Sequence, residues 1–189
     1  MTARRPGFSY CATAIFSLTF FVLLFSATLS VAQKEQEVYR WQVFTGFSYM
    51  RFDSQSIGFA DQSNLFGGEV VGQYNITRRY SVFGDVSANF GHEIKLYNFM
   101  IGPQASYRRQ NDTFFVRGLF GKDRDQVSSD GGKTSIGLAW GGGVGYDRKF
   151  SSRFDLRVIQ IDYINAHSYG ATQKNVRVST GLLFNFGGK

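Results

Sequence analysis

From residue 38 onward the chain alternates, residue by residue, between two chemically different faces over eight successive stretches. Successive side chains of an extended strand point to opposite sides, so a period of two marks strands whose faces meet different surroundings. In 39–49, Tyr39, Trp41, Val43, Thr45, Phe47 and Tyr49 oppose Arg40, Gln42, Phe44, Gly46 and Ser48. The pattern repeats over 66–76, 80–90, 95–108, 113–121, 134–147, 153–163 and 175–186. Two places break it. Pro103 lies inside the fourth stretch, where a missing N–H predicts a bulge or local kink. In the seventh, Arg157 falls on the opposite parity from Gln160 and Asp162, and a β-bulge between Val158 and Gln160 would return all three to one side. A chain with 17% aromatic residues, 22 Gly and 2 Pro suits twisted strands joined by polar turns.

Alternation alone does not say which face is inside, and a lipocalin-like secreted barrel would alternate too. The apolar faces place Tyr39, Trp41, Tyr74, Tyr80, Tyr107, Phe114, Tyr146, Phe154 and Phe186 near one end of the strands, and Tyr49, Phe66, Phe90, Tyr97, Phe120 and Tyr163 near the other. Two aromatic girdles are the mark of a barrel that spans a membrane. The opposite faces carry Glu69, Asp85, Arg108, Arg117, Asp155, Arg157, Asp162 and Arg177, too many ionisable groups for a dry core unless they neutralise one another. Gaps after stretches two, four and six are short, while 53–65, 122–133 and 165–174 read as longer polar connections. That rhythm predicts an all-β, eight-stranded, antiparallel up-and-down transmembrane barrel with both termini on the periplasmic side. Eight strands enclose only enough room for side chains, so the lumen is expected to be filled. A mean hydropathy of -0.19 fits, because the membrane crossing does not depend on apolar helices.

The N-terminus reads as a signal peptide, 1–32: Arg4 and Arg5 form a positive start, 12–29 an apolar stretch, and Ser30, Val31 and Ala32 the small residues before cleavage. An uncleaved membrane anchor is the competing reading. Cys11 follows Ser9 and Tyr10 rather than the small residues of a lipid-attachment site. The barrel domain is then 33–189, free of cysteine, and removal of Arg4 and Arg5 lowers the formal charge from +7 to +5. That excess lacks the basic stripe of a nucleic-acid binder.

The segments beginning at Val43 (VFTGFSYMRFD), Gly84 (GDVS), Phe115 (FVRGLFG), Gly141 (GGGVGYD), Leu156 (LRVIQIDY) and Val178 (VSTGLLFNF) resemble the OmpA-like outer membrane protein β-barrel family, often labelled porin-like. The resemblance implies a bacterial outer-membrane protein of eight strands with no catalytic motif to carry over. It implies contact with outer-membrane lipids and lipopolysaccharide, assembly by the outer-membrane insertion machinery, and a monomer. One departure is that Gly187, Gly188 and Lys189 follow Phe186, where the family's assembly signal usually ends on a terminal Phe.

Motifs that carry chemistry are scarce. Gly132, Lys133 and Thr134 mimic the end of a phosphate-binding loop, but Val127 stands where its first Gly belongs. Gly141 to Gly145 is read as room made for bulky neighbours. Asp123 and Asp125 lack the remaining ligands of a calcium loop. His167 and Ser168, with Glu93 or Asp162 to orient the base, are the one pair with catalytic potential, of the kind a lipid A-modifying barrel enzyme would use at its rim. No catalytic, cofactor-binding or metal residue is assigned, and the expected role is structural or surface-interacting rather than enzymatic. A small-solute channel is the first alternative and the lipid-modifying enzyme the second.

Overall fold

The computed structural model describes residues 38–52, 63–92, 94–127, 133–168 and 171–187. They form eight strands: β1 (Trp41–Phe52), β2 (Ser63–Asn75), β3 (Tyr80–Phe90), β4 (Ile94–Arg109), β5 (Asp112–Val127), β6 (Lys133–Lys149), β7 (Phe154–Ser168) and β8 (Ala171–Phe186). Each strand pairs antiparallel with the next, and β8 pairs back onto β1, closing the barrel. Closure leaves no sheet edge, so backbone groups find partners within the fold even where water is absent. The barrel belongs to the unit Gln36–Lys189; the unit Met1–Glu35, which holds the expected signal peptide, lies outside the described residues.

The faces sort as the alternation requires. Trp41, Phe47, Val82, Ile101, Phe120 and Trp140 point outward and are 45–67% exposed, whereas Glu69, Asp85, Arg117, Asp162 and Arg177 point inward and are at most 4% exposed. A water-soluble chain rarely exposes a contiguous apolar patch of more than a few hundred Å². Here the exposed apolar belt occurs on every strand, so it faces acyl chains and the barrel spans a membrane. Ring pairs hold the girdles across neighbouring strands: Trp41 with Tyr74 (4.8 Å between centroids) and Phe114 with Tyr146 (4.9 Å) at the end bearing the termini, Tyr49 with Phe66 (5.3 Å) at the other.

The seventh strand carries the expected bulge. Tyr146 pairs with Ile159 and Asp147 with Arg157, so Val158 is the extra residue, and Arg157, Gln160 and Asp162 all turn inward and are buried. At Pro103 there is no inserted residue: Ile101 pairs with Phe120 and Gln104 with Arg117 in one unbroken frame, with the β4–β5 ladder lapsing between them. Gly102 explains how the strands stay in frame past the missing donor. An added Cβ there would stand 1.8 Å from the carbonyl oxygen of Gly118, an approach open only to glycine.

The polar connections are shorter than hydropathy suggests. Residues 122–127 continue β5 and 165–168 continue β7, while β6 and β8 already begin at Lys133 and Ala171. In Lys122, Asp123, Arg124 and Asp125 the period of two survives as alternation of charge sign: the two aspartates are buried inward and the two cations are exposed outward. Ile136 and Leu138, paired with Arg124 and Lys122, are 66% and 70% exposed, so on this side the apolar belt rises past Phe120.

Candidate functional site

The lumen is where the chain concentrates its polar chemistry. Five strands contribute to a central ionic cluster: Glu69 from β2, Asp85 from β3, Arg117 from β5, Asp162 from β7 and Arg177 from β8. Arg117 donates from Nε and Nη2 to both oxygens of Asp162 (2.8 and 2.6 Å) and from Nη2 to Glu69 and Asp85 (3.1 Å each). Arg177 donates to Asp85 at 2.6 Å, to Asp162 at 3.0 and 3.1 Å, and to the Ser87 hydroxyl at 2.8 Å. All five side chains are sealed from solvent. Buried charges of this kind are tolerated only when paired and hydrogen-bonded.

Glycine makes the pairing possible. Arg117 and Asp162 sit on strands separated by β6, and the residue of β6 paired with both is Gly143. A Cβ at that position would lie 2.0 Å from Asp162 Oδ1. Gly145 does the same for an aromatic neighbour, since its Cβ would lie 2.2 Å from the Phe115 ring. The glycines of β6 therefore hollow the wall so that side chains from β5 and β7 can meet over it.

A second charged pair lies nearer the termini. Arg157 makes a two-pronged pair with Asp147 (2.7 and 3.1 Å), and its guanidinium lies between the rings of Phe44 and Phe115, 4.6 and 4.4 Å from their centroids. Gln160 joins the two groups, accepting from Arg157 at 2.6 Å and donating to Glu69 and Asp162 at 2.8 and 2.9 Å. Below it an amide layer crosses the lumen: Gln42 donates to Asn185 (2.6 Å), Gln73 to Gln42 (3.0 Å) and Gln104 to Gln73 (3.1 Å). Arg108, half-buried, donates to Asn75 and to the Arg78 carbonyl. A cavity of about 30 Å³ opens among these groups, room for a water molecule or two. In the other half, Met50, Leu65, Leu96, Met100 and Leu119 are at most 1% exposed and pack the interior with apolar volume.

The eight strands, the outward apolar belt and the packed interior together define the architecture. It is the fold of the small outer-membrane β-barrels. Neisserial surface protein A matches with a TM-score of 0.65 at 14% identity, over 80% of this chain and all of that one. Ail, the attachment invasion locus protein of Yersinia pestis, matches at 0.55 and 16% identity, over 78% of this chain and all of Ail. The N-terminal β-barrel domain of OprF from Pseudomonas aeruginosa matches at 0.54 and 12%, over 79% of this chain and all of that domain. No protein-family model matches the sequence, and no curated protein sequence does either.

Of the ionisable groups read from sequence as lumenal, Glu69, Asp85, Arg117, Arg157, Asp162 and Arg177 are buried together, and Arg108 and Asp155 are half-buried at the end bearing the termini. The catalytic pair does not assemble with Asp162. His167 is exposed on the outer face of β7, its Nδ1 3.3 Å from Thr172 Oγ1, while Asp162 is buried on the lumenal face. Glu93 and the side chain of Ser168 lie outside the described residues. Glu69, Asp85 and Asp162 bring oxygens within 4.8 Å of one another, a spacing suited to a cation, but the guanidiniums of Arg117 and Arg177 already occupy that centre. The amide layer is not singled out by sequence reasoning, although Gln42, Gln73, Asn75, Gln104 and Asn185 all share the inward parity.

Proposed function

We propose that the protein is a non-conducting, non-enzymatic integral barrel of the bacterial outer membrane that acts through its outer surfaces. One observation carries this reading: three carboxylates and two guanidiniums from five strands lie fully buried across the lumen, with apolar side chains packed on one side and an amide layer on the other. Among the described residues this network fills the middle of the lumen, which supports a closed interior and leaves function to the lipid-facing wall and to the end away from the termini. Residues 1–32 would direct export, both termini would lie in the periplasm, and assembly would use the outer-membrane insertion machinery through β8 and its Phe186. Lipopolysaccharide is the natural lipid partner at the outer rim. An attachment role, of the kind for which Ail is named, is consistent with the same fold.

Conductance across a planar bilayer tests the central point. Purified, folded protein is expected to give no steady openings above background, and large steady openings would overturn the sealed lumen. Fractionation with heat-modifiable gel migration tests the location, and the mass of the exported chain tests cleavage after Ala32.

A further inference from the structure

Lys95, Lys122 and Arg124 form one cluster on the outer wall. Lys122 and Arg124 lie two residues apart on the outward face of β5; Lys95 lies on β4, paired with Gln126, and so sits diagonal to Arg124. Both spacings are roughly 7 Å, within reach of a single phosphate group for side chains of this length. All three are exposed, and among the described residues none makes an ion pair. Around them β5 turns Asp123 and Asp125 inward, so the outward face of residues 122–125 is purely cationic.

Height along the barrel says what meets them. Counting from the girdle residue Phe114 at about 3.3 Å per residue and a tilt of about 40°, Arg124 lies roughly 25 Å up the wall, the height of the apolar band of such barrels. The cations therefore sit at the far edge of the band, where headgroup phosphates lie. Their lateral neighbours are apolar or amphipathic: Leu138 pairs with Lys122, and Ile136 and Tyr97 with Arg124. A soluble anion would gain nothing from Ile136 and Leu138, which are 66% and 70% exposed. A ligand carrying both phosphate and acyl chains would satisfy all of these groups at once.

We propose that Lys95, Lys122 and Arg124, with Tyr97, Ile136 and Leu138 beside them, form a site for a phosphorylated, multiply acylated lipid of the outer leaflet, the lipid A part of lipopolysaccharide. The site deepens the membrane-barrel reading above and rests on it. Arg124 and Lys122 grip phosphate through charge-assisted hydrogen bonds, and acyl chains lie down the wall over the two apolar residues.

The test uses the full chain folded in detergent and a fluorescent diphosphoryl lipid A, with binding read by anisotropy. The triple variant Lys95→Gln/Lys122→Gln/Arg124→Gln is expected to bind at least tenfold more weakly, and phosphate-free lipid A to compete at least tenfold more weakly with the unaltered protein. Lys149→Gln/Arg153→Gln, at the rim bearing the termini, is expected to leave binding unchanged. Unchanged binding by the triple variant overturns the site, as does equal competition by phosphate-free lipid. Competition by sucrose octasulfate or inorganic phosphate as strong as that by lipid A also overturns it, in favour of a soluble anion. If the triple variant does not fold, Lys122→Gln and Arg124→Gln singly are each expected to weaken binding severalfold, and no change in either refutes the proposal. Heat-modifiable migration of the unaltered protein is read in parallel: its absence sinks the membrane barrel itself, whereas a folded barrel indifferent to these substitutions sinks the lipid site alone.

Discussion

Removing one guanidinium from the lumen measures how tightly the central cluster is balanced. In Arg177→Met the volume is nearly kept, but Asp85 loses its 2.6 Å partner and Asp162 its 3.0 Å partner. Three carboxylates with oxygens within 4.8 Å of one another are left facing Arg117 alone. Breaking a buried pair from one side typically costs about 3–5 kcal/mol, because the remaining charge is stranded away from water. At a typical urea dependence of about 2 kcal/mol per molar, the unfolding midpoint in detergent or lipid vesicles should fall by roughly 2 M. The sharper test is the double variant. Asp85→Asn alone removes a negative charge that faces both arginines, yet in the Arg177→Met background that charge is one of the stranded ones, so the change should cost less there, with a coupling of about 1–3 kcal/mol. The assay is urea titration read by heat-modifiable mobility and tryptophan fluorescence. A single-variant loss below about 1 kcal/mol, or additive effects within about 0.5 kcal/mol, would refute the reasoning that this network is electrostatically closed.

Gly143→Ala places a methyl 2.0 Å from Asp162 Oδ1 and should destabilise the barrel by about 1–3 kcal/mol, while Gly84→Ala, with nothing within 4 Å of its Cβ, should stay within about 0.5 kcal/mol in the same urea titration. Trp41 and Trp140 both face outward, so brominated acyl chains should quench their emission more strongly than an aqueous quencher of equal concentration; the reverse order would mean that the belt is not in lipid. His167→Ala should leave the acyl pattern of lipid A unchanged by mass spectrometry, since the imidazole lies on the face opposite Asp162; an altered pattern would reopen the enzymatic reading.

The strand count, the outward face and six of the buried charges, with Asp147, Asp123 and Asp125 missed, are legible because each is a property of parity along one strand. The bulge is legible for the same reason: Arg157 and Asp162 can share a face only if one residue between them is extra. Parity expressed as charge sign is harder to see. A scan for apolar alternation stops at Phe120, whereas Lys122, Asp123, Arg124 and Asp125 go on alternating, so the strand continues through what reads as a polar loop. At Pro103 the missing donor suggests an inserted residue, whereas Gly102 beside it allows close backbone approach instead.

Which inward groups meet lies beyond parity, because contacts across a lumen depend on curvature and on the stagger between strands. Glu69 and Arg117 are three strands apart and still 3.1 Å from one another. The clue available from sequence is in the gaps rather than the charges. Gly143 bears no side chain because Arg117 and Asp162 reach past it, and Gly145 bears none because the Phe115 ring, which packs on Arg157, takes its place. A run of inward glycines on one strand thus marks the stretch of wall over which its two neighbours join. In this barrel that stretch is β6 beside the ionic cluster, which is why closure of the lumen and the glycine content of β6 are one physical fact.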